Sequence, residues 1–90
     1  MTIYELKLYV VRRTPKSKVV VDKLVKILEE EIQGRYRLEI IDIIENPELA
    51  ERAKILITPT LHKIAPEPAS KIIGDLSDKK TILLALGLTA

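Results

Sequence analysis

The sequence predicts an α/β domain in which a mixed four-stranded sheet carries helices on both faces. Three observations lead there. A strand–helix–strand unit fills the first half of the chain, alternating helix and strand signals follow it, and Ile57-Thr58-Pro59-Thr60-Leu61 sets a proline at the entrance of an apolar, β-branched stretch. Proline cannot donate to a sheet ladder, and it pushes the preceding threonine toward an extended backbone. The stretch therefore reads as a strand start or a sharp bend, with either a trans or a cis bond at Pro59.

Ile3 to Val11 reads as the first strand: Leu6, Leu8 and Val10 share one face, while Ile3, Tyr9 and Val11 make the other apolar as well. A strand apolar on both faces belongs inside a covered sheet. Thr14 is placed to cap a helix and Pro15 to occupy its first position. Val20, Val21, Leu24, Ile27, Leu28 and Ile32 follow at helical spacing, and Gly34 ends the run. Tyr36 to Ile44 is a second strand, parallel to the first across a right-handed crossover. Asn46-Pro47-Glu48 starts a short helix through Lys54.

From Ile55 onward the signals compete. Ile55-Leu56-Ile57 reads as a strand or as a continuation of the preceding helix, whereas Thr60–Ile64 and Lys71–Ile73 read as strands joined through the Pro66-Glu67-Pro68 turn. Asp75-Leu76-Ser77-Asp78 offers capping oxygens for a last helix through Leu86, although Ile82-Leu83-Leu84-Ala85-Leu86 is an apolar run that periodicity alone does not assign. The resulting order, βαβαββα, is the thioredoxin arrangement. In that arrangement the proline before the third strand is cis and lies beside the first strand–helix loop. Pro59 holds that position, and Thr14-Pro15-Lys16-Ser17 stands where a redox dithiol would be.

Composition narrows the chemistry. The 90 residues suit one core, so residues 1–90 are read as a single domain, and with 47% hydrophobic residues but no Phe or Trp that core is built from Ile, Leu and Val. The absence of cysteine excludes disulfides, thiolate catalysis and thiolate-bound metal. His62 is the single histidine, which leaves neither a catalytic triad nor a zinc set, and no paired carboxylates suggest another reaction. A net charge of +2 is too small to argue for nucleic acid, and Tyr4, Tyr9 and Tyr36 are too few for a base-stacking surface. No apolar run approaches the roughly 20 residues of a membrane span, and the first residues lack a basic signal-peptide onset, so a cytoplasmic location is expected.

Arg12, Arg13, Lys16 and Lys18 cluster at the start of the first helix, and Glu29, Glu30 and Glu31 close it. Both groups oppose the helix dipole. The basic cluster reads either as a surface for an anionic partner or as a set of solvated charges.

Several segments together resemble the circadian clock protein KaiB family: Lys7-Leu8-Tyr9-Val10, Thr14-Pro15-Lys16-Ser17, Asn46-Pro47-Glu48-Leu49-Ala50, Lys54-Ile55-Leu56, Thr58-Pro59-Thr60-Leu61 and Lys71-Ile72-Ile73-Gly74-Asp75-Leu76-Ser77. The resemblance runs almost end to end. It implies a non-enzymatic protein, without cofactor or metal, that binds the ring of a KaiC-type ATPase and regulates its phosphorylation cycle. A KaiA-like protein, or a sensor histidine kinase competing for the same site, would be a further partner. It also implies two folds: a tetrameric ground state ordered βαββααβ and a monomeric thioredoxin-like state, with residues 46–90 as the switching half. Lys54, Lys63 and Lys71 match basic positions through which the family approaches KaiC, and Arg12 and Arg13 are added as candidate partner contacts.

Departures from the family bear on both fold and partner. Val11-Arg12-Arg13 replaces the usual Ala-Gly-Asn before Thr14-Pro15, and Val19 stands where a basic residue is common. Leu84-Ala85-Leu86-Gly87 replaces Ile-Gly-Leu-Asp. Alanine in place of glycine stabilises a helix by about 1 kcal/mol, so Ala85, with Gly87 as the helix stop, favours the thioredoxin-like state in which Pro59 is cis. The altered first loop also admits a second reading, a stress-related or adaptor binding domain without a clock role.

Overall fold

The computed structural model describes residues 2–11 and 14–88. Tyr4–Val10 (β1) pairs in parallel with Tyr36–Asp42 (β2) on one side and antiparallel with Thr60–Ala65 (β3) on the other, and Ser70–Ile73 (β4) closes the sheet antiparallel to β3. The strand order is β2-β1-β3-β4, which puts the doubly apolar β1 inside, as its pattern requires. Helices Pro15–Ile32 (α1), Pro47–Arg52 (α2) and Lys79–Leu86 (α3) complete the order βαβαββα. This is the thioredoxin-like fold expected from the sequence; the alternative βαββααβ order is not the one observed.

Alternation along β1 creates two layers. Tyr4, Leu6, Leu8 and Val10 join Leu61 and Ile72 from the neighbouring strands, and Leu24, Ile27, Leu28, Ile32, Ile82 and Leu86 of α1 and α3 cover them. Leu8, Leu24, Leu28, Ile32, Leu61 and Ile82 are fully buried. Each such side chain contributes about 1.5–3 kcal/mol over its exposed state, so an aliphatic core suffices without Phe or Trp. Tyr9 and Ile41 are opposite one another in the β1–β2 register and point to the other face, where α2 buries Ala50.

Local chemistry sets the element ends. The Thr14 backbone N–H donates to Ser17 Oγ at 2.9 Å and the Ser17 N–H to Thr14 Oγ1 at 3.1 Å, a reciprocal box that starts α1 with Pro15 at its first position. β2 stops at Asp42, two residues before the expected Ile44, because the Asp42 carboxylate accepts the Ile44 N–H at 2.8 Å and turns the chain. α3 starts at Lys79 rather than near Asp75: Asp78 caps the Lys80 N–H, whereas the Asp75 carboxylate accepts from Ser77. Gly87 ends α3 at φ 74°, with its N–H donating to the Leu84 carbonyl. Ile55-Leu56-Ile57 is neither strand nor helix. Lys54 takes a left-handed φ of 58° that stops α2, and the segment pairs with none of the four strands.

Candidate interaction surface

The Thr58–Pro59 peptide is cis, as are Ala65–Pro66 and Glu67–Pro68. Pro59 and Thr58 line one cleft with Val10, Val11, Thr14, Lys16, Ser17 and Val20, about 280 Å³ in volume, so the proline lies beside the first strand–helix loop. In a thioredoxin this is where the dithiol would meet its substrate. Here Thr14 and Ser17 offer hydroxyls that already accept each other's backbone N–H, and the chain has no cysteine. Among the described residues no group of three or more His, Cys, Asp or Glu could hold a metal ion. Arg12 and Arg13 lie outside the described residues.

A second surface surrounds α2. Ile43, Pro47, Ala50, Glu51, Lys54, Ile55 and Leu56 line an open hollow of about 580 Å³. Lys54 follows the C-cap Ala53; its N–H donates to the Glu51 carbonyl at 3.0 Å, and the Ile55 N–H donates to Ala50 at 2.9 Å. This left-handed closure usually takes glycine, and a lysine there accepts a conformational cost. Beyond it Leu56 is 93% exposed and Ile57 55% exposed, a pair of large apolar side chains turned to solvent. Composition could not reveal them, because apolar residues are expected inside.

The other lysines separate. Lys71, exposed on β4, stands opposite His62, which in turn stands opposite Lys7 on β1, and Lys7 opposite Glu39 on β2. This row crosses the sheet on the same side as α2. Burial holds His62 more readily neutral than usual, and the Lys71 and Lys7 charges act in the same direction. His62 Nδ1 is buried and has no hydrogen-bond partner. Lys7 and Glu39 approach to 3.9 Å, and Arg37 and Glu5 to 3.8 Å, both as surface pairs. Lys63, matched by the resemblance to a partner-facing position, is 5% exposed on the opposite, α1-covered face, in register with Leu6 and Ser70. Ala85 lies half-buried in α3 against the core, and Gly87 supplies that helix's left-handed cap.

A thioredoxin-like sheet, a cis-proline cleft and an exposed apolar–basic surface beside α2 define a thioredoxin-like domain whose sequence holds no thiol. The KaiB domain family model matches residues 7–88, and the chain belongs to the KaiB family. It is 55% identical over 85 residues to the circadian clock oscillator protein KaiB of Microcystis aeruginosa, covering 94% of this chain and 82% of that one. The KaiB1 clock protein of Synechocystis sp. is also 55% identical, with 94% and 81% covered. Among solved structures, the N-terminal domain of Synechococcus elongatus SasA superposes with a TM-score of 0.78 at 30% identity, covering 93% of this chain and 81% of that one. Chloroplastic thioredoxin z gives 0.74 at 25% identity, covering 94% and 76%.

Proposed function

We propose that this chain is a non-enzymatic clock component that binds a KaiC-type ATPase in its thioredoxin-like state and thereby regulates that enzyme's phosphorylation cycle. The observation that carries the reading is the exposed Leu56–Ile57 pair beside Lys54, on a fold shared with the SasA N-terminal domain. Exposed apolar side chains supply the desolvated centre of an interface, and Lys54 and Lys71 supply a basic margin that steers an acidic partner. Lys63 offers little surface in this packing, so its part in binding would come through support of the sheet. The shared fold supports competition with a sensor histidine kinase for one docking site, and a KaiA-like protein is a further partner. No helix among the described residues is long and apolar enough to cross a membrane, in keeping with the cytoplasmic location we assign.

The same sequence is proposed to adopt a second packing, ordered βαββααβ and tetrameric, through rearrangement of residues 46–90, while the thioredoxin-like state is monomeric. Ala85 and Gly87 favour the latter. Two packings separated by a few kcal/mol are enough for a partner to select one. The test is size-exclusion chromatography of the chain with a KaiC-type ATPase ring from the same organism, in the presence and absence of nucleotide. Co-elution is expected; a thioredoxin-like monomer that never co-elutes removes the clock reading and leaves the adaptor reading.

A further inference from the structure

Lys79 Nζ lies 3.2 Å from Glu31 Oε2 and 3.6 Å from Glu30 Oε2. All of these charges are misplaced by local rules. The acids stand at the C-terminal end of α1, where unpaired carbonyls already concentrate negative charge, and the lysine is the first residue of α3, where unpaired N–H groups concentrate positive charge. Within the turns themselves α1 has no basic residue in its last turn and α3 no acidic residue in its first, although Asp78 caps α3 and the Arg35 guanidinium donates to the Glu31 carbonyl at 3.3 Å. Within its own helix each of the three charges is still unfavourable. The misplacement is offset when the end of α1 and the start of α3 meet.

Two further observations place the meeting point. Leu24, Leu28 and Ile32 of α1 share one buried core with Ile82 and Leu86 of α3. Asp75, just before α3, has its carboxyl held below the usual range by hydrogen bonds from the Ser77 side chain and backbone, with the Lys23 charge on α1 adding to the effect. Charge complementarity thus extends along the contact from Lys23 to Glu31.

We propose that Lys79, Glu30 and Glu31 form a clasp that selects the docking of α3 on α1, and that loss of the clasp, by mutation or by salt, releases the α3 segment before the rest of the sheet opens. The contact is written in charges that oppose each helix alone, so a packing that moves α3 away from α1 forfeits the compensation at both ends. The clasp does not depend on a second fold. Its use as a bias between two folds rests on the reading proposed above.

The experiment is amide hydrogen exchange on the full chain, comparing Ile82–Leu86 with Leu6–Val10. Lys79→Glu and Lys80→Glu both bring an acid to the N-terminal end of α3, which by the dipole rule strengthens that helix; Lys80 forms no ion pair among the described residues. The clasp requires opposite results. Lys79→Glu lowers protection of α3 on the order of threefold, the scale of an exposed ion-pair cluster, while Lys80→Glu leaves or raises it. Lys79→Gln gives a smaller loss, and molar salt, with a Debye length of about 3 Å, brings the wild type toward Lys79→Gln. Glu30→Lys/Glu31→Lys combined with Lys79→Glu restores protection. Equal protection in the Lys79→Glu and Lys80→Glu variants overturns the clasp, as does a triple variant that fails to recover. A second set of backbone resonances reports the second fold separately: its absence with the α3 effect intact counts against the switch alone, and its presence with unchanged protection counts against the clasp.

Discussion

Lys71 stands directly opposite His62 on the β3–β4 ladder, and Lys7 flanks the same imidazole from β1. Protonation of His62 would put three cations in one row, with Glu39 at its far end. Desolvation first, and the two lysines second, lower the His62 pKa below its usual 6.5. The unfolded chain therefore binds this proton more readily than the folded one, so folding stability rises with pH across the window. The full contribution is present above pH 6.5 and is lost as pH falls below 6.5 toward the folded value. Thermal unfolding between pH 7 and pH 5 should show a falling midpoint in the wild type and a flatter profile in His62→Gln. Asp75 does not confuse the reading, because its lowered pKa starts from 3.8 and its contribution is lost only at more acidic pH. Parallel profiles for the two proteins would dismiss the His62 row as a stability determinant.

Lys63 tests how a lysine side chain is accommodated in the core beside Leu6 and Ser70. Its aliphatic stem lies on the core face, so what it gives the fold is packing of that stem. Lys63→Met keeps most of that volume and is expected to hold stability within about 1 kcal/mol, whereas Lys63→Ala loses about 1–2 kcal/mol by emptying the space. Urea midpoints of the two variants decide: a Lys63→Met variant weaker than Lys63→Ala would mean the ammonium, and not the stem, is what the site requires.

Ala85 and Gly87 should both lose stability when exchanged, although the exchanges run in opposite senses. Ala85 sits inside α3, so Ala85→Gly costs about 1 kcal/mol through backbone entropy. Gly87 has φ 74° with open space around the position a Cβ would take, so Gly87→Ala costs about 1 kcal/mol from conformation alone, without a clash. Gly87→Asn should cost less, since asparagine tolerates the left-handed region. Denaturant unfolding of the three variants measures the order; an uncosted Gly87→Ala would show that α3 ends differently in solution.

Sequence patterns were informative wherever two local rules agreed. Thr14, Pro15 and Ser17 announce the start of α1 by capping chemistry, and the apolar periodicity from Val20 to Ile32 confirms the same helix. β1 declared its interior position through apolar residues on both faces. The rules failed where they pulled apart. Ile55-Leu56-Ile57 has the composition of a strand, but composition does not reveal whether a neighbouring strand exists to receive it. Lys63 shares the face of Leu61 by the period of two, yet its charge suggested the surface, and the face prevailed. Asp75 and Asp78 both offered a capping carboxylate; the bonds from Ser77 engage the first and leave α3 to the second. The exposure of Leu56 is a property of tertiary placement alone, which is why the α2 surface was visible in sequence only through Lys54.

Leu56 separates binding from folding more cleanly than any other residue of that surface. At 93% exposure it contributes almost nothing to the core, so Leu56→Ala and Leu56→Asp should leave the unfolding midpoint within about 0.5 kcal/mol of wild type. If the α2 surface is the docking site for a KaiC-type ATPase, the same side chain becomes buried on binding. Truncation of a central apolar contact costs roughly 1–2 kcal/mol, or about a tenfold loss of affinity, and an aspartate at that position should cost more through unpaired charge. Lys54→Ala should weaken binding less at high salt than at low salt, because an exposed cation acts mainly by steering. Titration calorimetry of the folded variants against the ATPase ring measures both effects. Undiminished affinity of Leu56→Asp, with the fold intact, would move the docking site away from α2 and toward the cleft beside Pro59.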